Sequence, residues 1–184
     1  MAKLAGKKKV SLQEMSQEID LKKYFGEKPT KEQKKLFAEI AKEVIENRTL
    51  DGKDLHGRKF KQYSKEYADL KGVPRSNVDL FLKGDMLSSI GRRSSKEKTN
   101  TLFLQMKKGL ETKKSFNHDT GDTLAKREFF GITNNEAQKI TEEVSKLTKK
   151  KKVSIAQLQL AAAAILLGED DESENQTEEF EWHS

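Results

Sequence analysis

The chain has 184 residues, 34% of them hydrophobic and 36% charged, with no cysteine and a net charge of +6. Without cysteine there are no disulfides, thiolate metal sites or thiol nucleophiles, and the low apolar fraction fits one domain with appendages better than one large core. The net charge hides a split. Eight of the 30 acidic residues (Glu169, Asp170, Asp171, Glu172, Glu174, Glu178, Glu179 and Glu181) follow Gly168, where there is no Lys or Arg, so residues 1–168 set 36 basic side chains against 22 acidic ones, or +14. A basic body with an acidic tail points to nucleic acid, to an acidic partner surface, or to tail-to-body contact in an assembly.

At the N-terminus Lys3 and Lys7 to Lys9 precede polar sequence with no continuous apolar stretch, so a secretory signal is not expected. Residues 1–29 read as a basic N-terminal arm, mobile over 1–10, in which Leu12, Met15 and Ile19 make a weak helical stripe that stops near Gly26 and Pro29. Thr30 then opens a stronger helix. Its hydroxyl and Gln33 have the spacing of a capping box, and Leu36, Phe37, Ile40, Val44 and Ile45 share one face.

Residues 49–90 alternate turn chemistry with small apolar clusters. A polar loop around Asp51 and Gly52 leads into Phe60, Tyr63, Tyr67 and Leu70, whose spacing predicts one helical face ended by Gly72. Residues 78–82 read as a short strand, and Gly84-Asp85 turns the chain into the run from Met86 to Ile90. Next, 91–98 reads as a loop or edge strand and Thr101–Met106 as a strand. After a turn at 107–109, residues 110–116 read as a poorer second strand, because Glu111, Lys113 and Lys114 give it the pattern of an exposed hairpin.

Asn134, Asn135 and Glu136 can start a helix that carries Ala137, Ile140, Val144 and Leu147 at helical spacing. Four lysines at 149–152 interrupt the pattern, and Ser154 then caps a helix over Ile155–Leu167 that Gly168 ends. That helix is nearly apolar on all sides, so a partner contact through Ile155, Leu158, Ala162, Ile165 and Leu166 is expected. Its apolar run falls far short of the ~20 residues that cross a bilayer, and a soluble protein without membrane contact is expected. The acidic tail has the composition of disorder, with Phe180 and Trp182 as anchors for a partner's groove. The parts are therefore a basic arm (1–29), an α+β domain (30–150), an Ala-rich helix (153–168) and an acidic tail (169–184).

The residue types offer little chemistry. His56, His118 and His183 are isolated, so a metal site would have to join one of them to carboxylates such as Asp51, Asp54, Asp119 or Asp122, and turn formation accounts for those residues more simply. There is no nucleophile-elbow pattern and no Gly-rich phosphate loop, so neither an enzyme nor a cofactor site is expected. Arg92 and Arg93, Lys107 and Lys108, and Lys113 and Lys114 are candidates for a phosphate-attracting, DNA-facing surface.

The stretch "DGKDLHGRKFKQYSKEYADLKG" followed by "VDLFLKGDMLSSI", then His118 to Gly121 and Arg127 to Gly131, resembles the phage virion morphogenesis or tail-completion family over about residues 49–140. The motif positions are Asp51, Gly52, Phe60, Gly84, Leu87, Ile90, His118, Gly121, Arg127, Phe129 and Gly131. The resemblance implies an N-terminal helix packed across a small antiparallel sheet, a closing helix, and a structural role for Arg127 in satisfying backbone carbonyls. It further implies a neck or tail-completion subunit working as a homo-oligomeric ring. Such a subunit would meet portal or connector and tail-terminator or tail-tube proteins, in the virion and, during assembly, in the host cytoplasm. The competing expectation is a nonspecific nucleic-acid-binding accessory protein whose acidic tail is autoinhibitory.

Overall fold

The computed structural model describes residues 2–80, 85–107, 109–149 and 153–168. The fold is α+β: a four-stranded antiparallel sheet in the order β1-β2-β4-β3, with seven helices among the described residues. Strand β1 (Lys7–Val10) turns through Ser11 and Glu14 into β2 (Met15–Asp20), and β2 pairs with β4 (Thr101–Met106), which also pairs with β3 (Ile90–Arg92).

Register and alternation decide which face is buried. Gln17 lies opposite Leu104 and Ile19 opposite Leu102, so with Met15, Met106 and Ile90 they form one inner face. The other face carries Glu18, Asp20, Phe103 and Gln105, and Lys96 lies over the Phe103 ring at 5.5 Å. An antiparallel sheet tolerates this one-sided covering because successive side chains alternate between its two faces.

The inner face is covered by α2 (Lys31–Leu50), whose Phe37, Ile40, Ala41, Val44 and Ile45 are fully buried. Thr30 and Gln33 close its capping box, at 3.1 and 2.7 Å. Helices α6 (Asn134–Leu147) and α7 (Ile155–Leu167) pack beside α2, each opened by its own capping box, at Thr133 with Glu136 and at Ser154 with Gln157. Three short helices, α1 (Lys22–Phe25), α3 (Lys65–Lys71) and α4 (Asp85–Ser88), punctuate the connections, and α5 (Leu110–Thr120) lies against β1 and β2.

Two buried polar joints hold these parts in place. Arg48, at the end of α2, pairs with Glu136 and donates from Nη2 to the carbonyls of Phe129 and Gly131 at 2.9 and 2.8 Å. Glu136 accepts at the same time from the Thr133 amide. Gln17 donates to the carbonyls of Ala5 and Ile132 and accepts from the Ile132 amide at 2.9 Å, so a fully buried amide has all its bonding satisfied.

Three segments differ from the sequence-based expectation. Residues 1–29 are no separate arm, since β1 and β2 lie within the sheet and the Asn134 amide bonds to the Lys3 carbonyl at 2.7 Å. The strand was hidden because its inner face includes Gln17, so β2 lacks apolar alternation. Residues 110–116 belong to helix α5 rather than to a hairpin strand; its buried face is Thr112, Ser115 and Asp119, polar positions that leave no apolar stripe to find. Finally, Phe60 and Tyr63 precede α3 rather than sharing its face, because the Ser64 hydroxyl caps Tyr67 and starts the helix only at Lys65. Of residues 78–82, Val78 to Leu80 are not a strand and the rest lie outside the described residues.

Candidate functional site

A groove of about 950 Å³ lies between α3, α5 and the loop that follows α5. Its floor is organised by Arg127. The guanidinium donates from Nε to the Lys61 carbonyl at 3.0 Å, from Nη2 to the Gln62 carbonyl at 3.2 Å and from Nη1 to the Ala125 carbonyl at 3.4 Å. It also stacks on the Tyr63 ring at 5.2 Å, where the planar cation gains from the ring's negative face. One side chain thereby ties residues 61–63 to residues 125–127.

Tyr63 is the second anchor. It meets Tyr67 edge to face at 4.8 Å, and its hydroxyl accepts from the Leu80 amide at 3.1 Å and bonds to Asp79 at 3.3 Å. Asp79 also pairs with Lys71. Leu80 is held at φ 52°, a left-handed conformation unusual for a branched residue, and the Tyr63 hydroxyl fixes its amide there. Arg75 donates from Nε to the Tyr63 carbonyl at 3.0 Å and lines the groove.

His118 lines the same groove, and its carbonyl accepts from the Arg127 amide at 2.6 Å. Burial, with the Arg127 charge adding to it, pulls the imidazole down to about 4, so it is neutral at physiological pH. Burial also raises the Tyr63 phenol. The groove thus offers a neutral imidazole, fixed aromatics and fixed cations. Among the described residues no cluster of His, Asp and Glu is arranged to hold a metal ion. The chain matches no family model, no curated protein and no solved structure.

The singled-out motif residues fall into several places. His118 and Arg127 line the groove, and Gly121 (φ 76°) turns the chain beside them, so close to Lys126 that a Cβ would stand 2.8 Å from that residue's Cβ. Phe129 and Gly131 belong instead to the Arg48 joint, and Leu87 and Ile90 are core. Asp51 caps the end of α2, while the Gly52 carbonyl accepts from the amide of buried Phe60 at 2.7 Å. Gly84 lies outside the described residues.

Three of the five basic candidates among the described residues have side-chain partners. Arg92 makes a bidentate pair with Glu97 at 2.7 Å, Arg93 donates to Gln105 at 2.7 Å, and Lys114 pairs with Glu111 at 2.9 Å while lining the groove. Lys113 is exposed on α5, Lys107 follows β4, and Lys108 lies outside the described residues.

Of the residues expected to meet a partner, Ala162 and Ile165 are buried and Leu158 and Leu166 half-buried in the core that α7 completes with α2 and α6, because an apolar helix buries whichever face meets its neighbours. Ile155, also among them, is exposed at 72%, and the outward face further carries Leu160 and Leu167 at 72% and 74% exposure. Phe180 and Trp182 lie outside the described residues. Tyr63, Arg75, Arg48 and Gln17 gave no sequence signal of their roles, because those roles consist of bonds to distant backbone.

Proposed function

We propose that the chain is a structural virion protein of a tailed phage or prophage, a neck or tail-completion subunit that acts in head-tail joining or tail assembly as a homo-oligomeric ring. The observation that carries this reading is α7. One face completes the core, and the opposite face presents Leu160 and Leu167, together with exposed Ala156 and Ala164, to solvent. A helix that is apolar on both faces and covered on one is suited to a second apolar surface. In a closed ring every copy would bury the same patch against its neighbour. Portal or connector proteins on one side and tail-terminator or tail-tube proteins on the other are the proposed neighbours. The arginine joint at Lys61, Gln62 and Ala125 agrees with the structural role that the motif resemblance implies for Arg127.

The test is genetic and structural. Inactivating the gene in the phage should leave heads and tails unjoined, or tails of abnormal length, in electron micrographs. The double variant Leu160→Glu with Leu167→Glu should fold, since both side chains are exposed, yet fail to complement that defect. Infectious particles of normal form without the polypeptide would end this reading.

A further inference from the structure

The groove beside Arg127 has features the ring reading does not use. Its rim exposes Tyr67, Leu70 and Leu124, at 37%, 79% and 46%. Lys61 and Arg75 stand around that apolar rim with Lys114, which pairs with Glu111 at 2.9 Å, and Arg127 lies at the base; the acidic residues among the described lining are Glu66 and Asp85. An occupant that fits must bring large apolar side chains and an excess of negative charge together.

The chain itself contains one such segment. Residues 169–184 carry eight acidic side chains, no basic ones, and the sequence Phe180-Glu181-Trp182. In an extended strand the two aromatics fall on one side and Glu181 on the other, about 7 Å apart along the backbone, a spacing suited to two adjacent apolar sites. Reach is sufficient as well. From Gly168, where α7 ends, the twelve residues to Phe180 can span up to roughly 40 Å. That compares with a radius of gyration of about 16 Å for a domain of this length.

We infer that this groove is the seat of the chain's own acidic C-terminal segment, with Phe180 and Trp182 over Tyr67, Leu70 and Leu124 and the carboxylates facing Lys61, Arg75 and Lys114. The apolar contacts supply the holding energy, while the charges set orientation and make the seat sensitive to salt. Held on the same chain, the segment has a high effective concentration, so a competing acidic-aromatic peptide must be abundant to displace it. The inference is independent of ring formation.

Trp182 is the only tryptophan in the chain, so its emission reads the seat directly in the full-length protein. Expected is a blue-shifted maximum and several-fold weaker acrylamide quenching relative to a free peptide of residues 169–184, unchanged over a hundredfold dilution. Leu70→Asp, and separately Lys61→Glu with Lys114→Glu, should each return the emission to that of the peptide, with circular dichroism showing intact folding. Emission already like that of the free peptide overturns the inference. So does a blue shift that survives both groove variants, that is lost on dilution, or that responds only to Leu160→Glu on α7. Particle assembly is read separately, so failure here and failure of the ring reading are distinguishable.

Discussion

Arg48 and Glu136 show how much can depend on one buried contact. Both are about 1% exposed, and Arg48 satisfies two carbonyls as well as the carboxylate, so the pair joins α2, residues 129–131 and the start of α6. Arg48→Met strands a buried carboxylate and is expected to lower unfolding free energy by about 3–5 kcal/mol. Adding Glu136→Gln should restore part of that loss, since the second change removes the uncompensated charge; urea titration of the single and double variants measures the difference. His118 yields a pH dependence of definite sign. Its folded pKa, about 4, lies below the ordinary 6.5, so as pH falls through that window the unfolded chain takes up a proton that the folded protein refuses. Stability attributable to His118 is therefore complete above pH 6.5 and declines toward pH 4, by roughly 2 kcal/mol after allowing for its partial accessibility. His118→Asn should flatten this slope in thermal melts taken between those pH values.

At the level of elements, the N-terminal segment is bound by backbone as much as by side chains. Gly6 sits at φ 92° with the Glu18 carbonyl oxygen 2.1 Å from where a Cβ would stand, so the chain passes from residues 3–5 into β1 only because no side chain is there. Gly6→Ala is expected to destabilise by about 2–4 kcal/mol, combining a forbidden approach with a strained φ, and to raise hydrogen exchange first in β1 and β2. The elements that sequence reading found are those whose signals are local. Thr30 with Gln33, and Ser154, announce their helices, and the apolar run within 101–106 announces a strand. The elements it missed bury polar side chains. Gln17 is satisfied by carbonyls from Ala5 and from Ile132, 115 residues away, and α5 meets the sheet through Thr112, Ser115 and Asp119, the last paired with Lys8 at 2.8 Å. No local pattern carries such long-range compensation. The same holds for the groove: His118, Gly121 and Arg127 were singled out in the sequence, but the carbonyls and the tyrosine that give Arg127 its task come from residues 61–63.

Across the whole molecule, the sheet leaves its outer face polar and sends its apolar side to α2, while α7 extends that core and then presents a second apolar surface outward. The acidic tail follows directly from this helix, so the surface proposed for neighbouring copies and the segment proposed to occupy the groove are consecutive in the chain. Of the basic residues expected to attract phosphate, Arg92 and Lys114 pair with carboxylates and Arg93 bonds to the neutral Gln105, while Lys107 and Lys113 are exposed. The outermost strand has a consequence of its own. β1 ends the sheet with Lys7, Lys8 and Lys9, of which Lys8 turns inward to Asp119 while Lys7 and Lys9 are exposed. The exposed ammonium groups of Lys7 and Lys9 disfavour a like strand aligning there, and open-ended fibril growth by this margin is expected to be opposed. Lys7→Thr with Lys9→Thr should relieve that opposition, and thioflavin-reactive aggregates appearing on gentle warming, well before global unfolding, would register it.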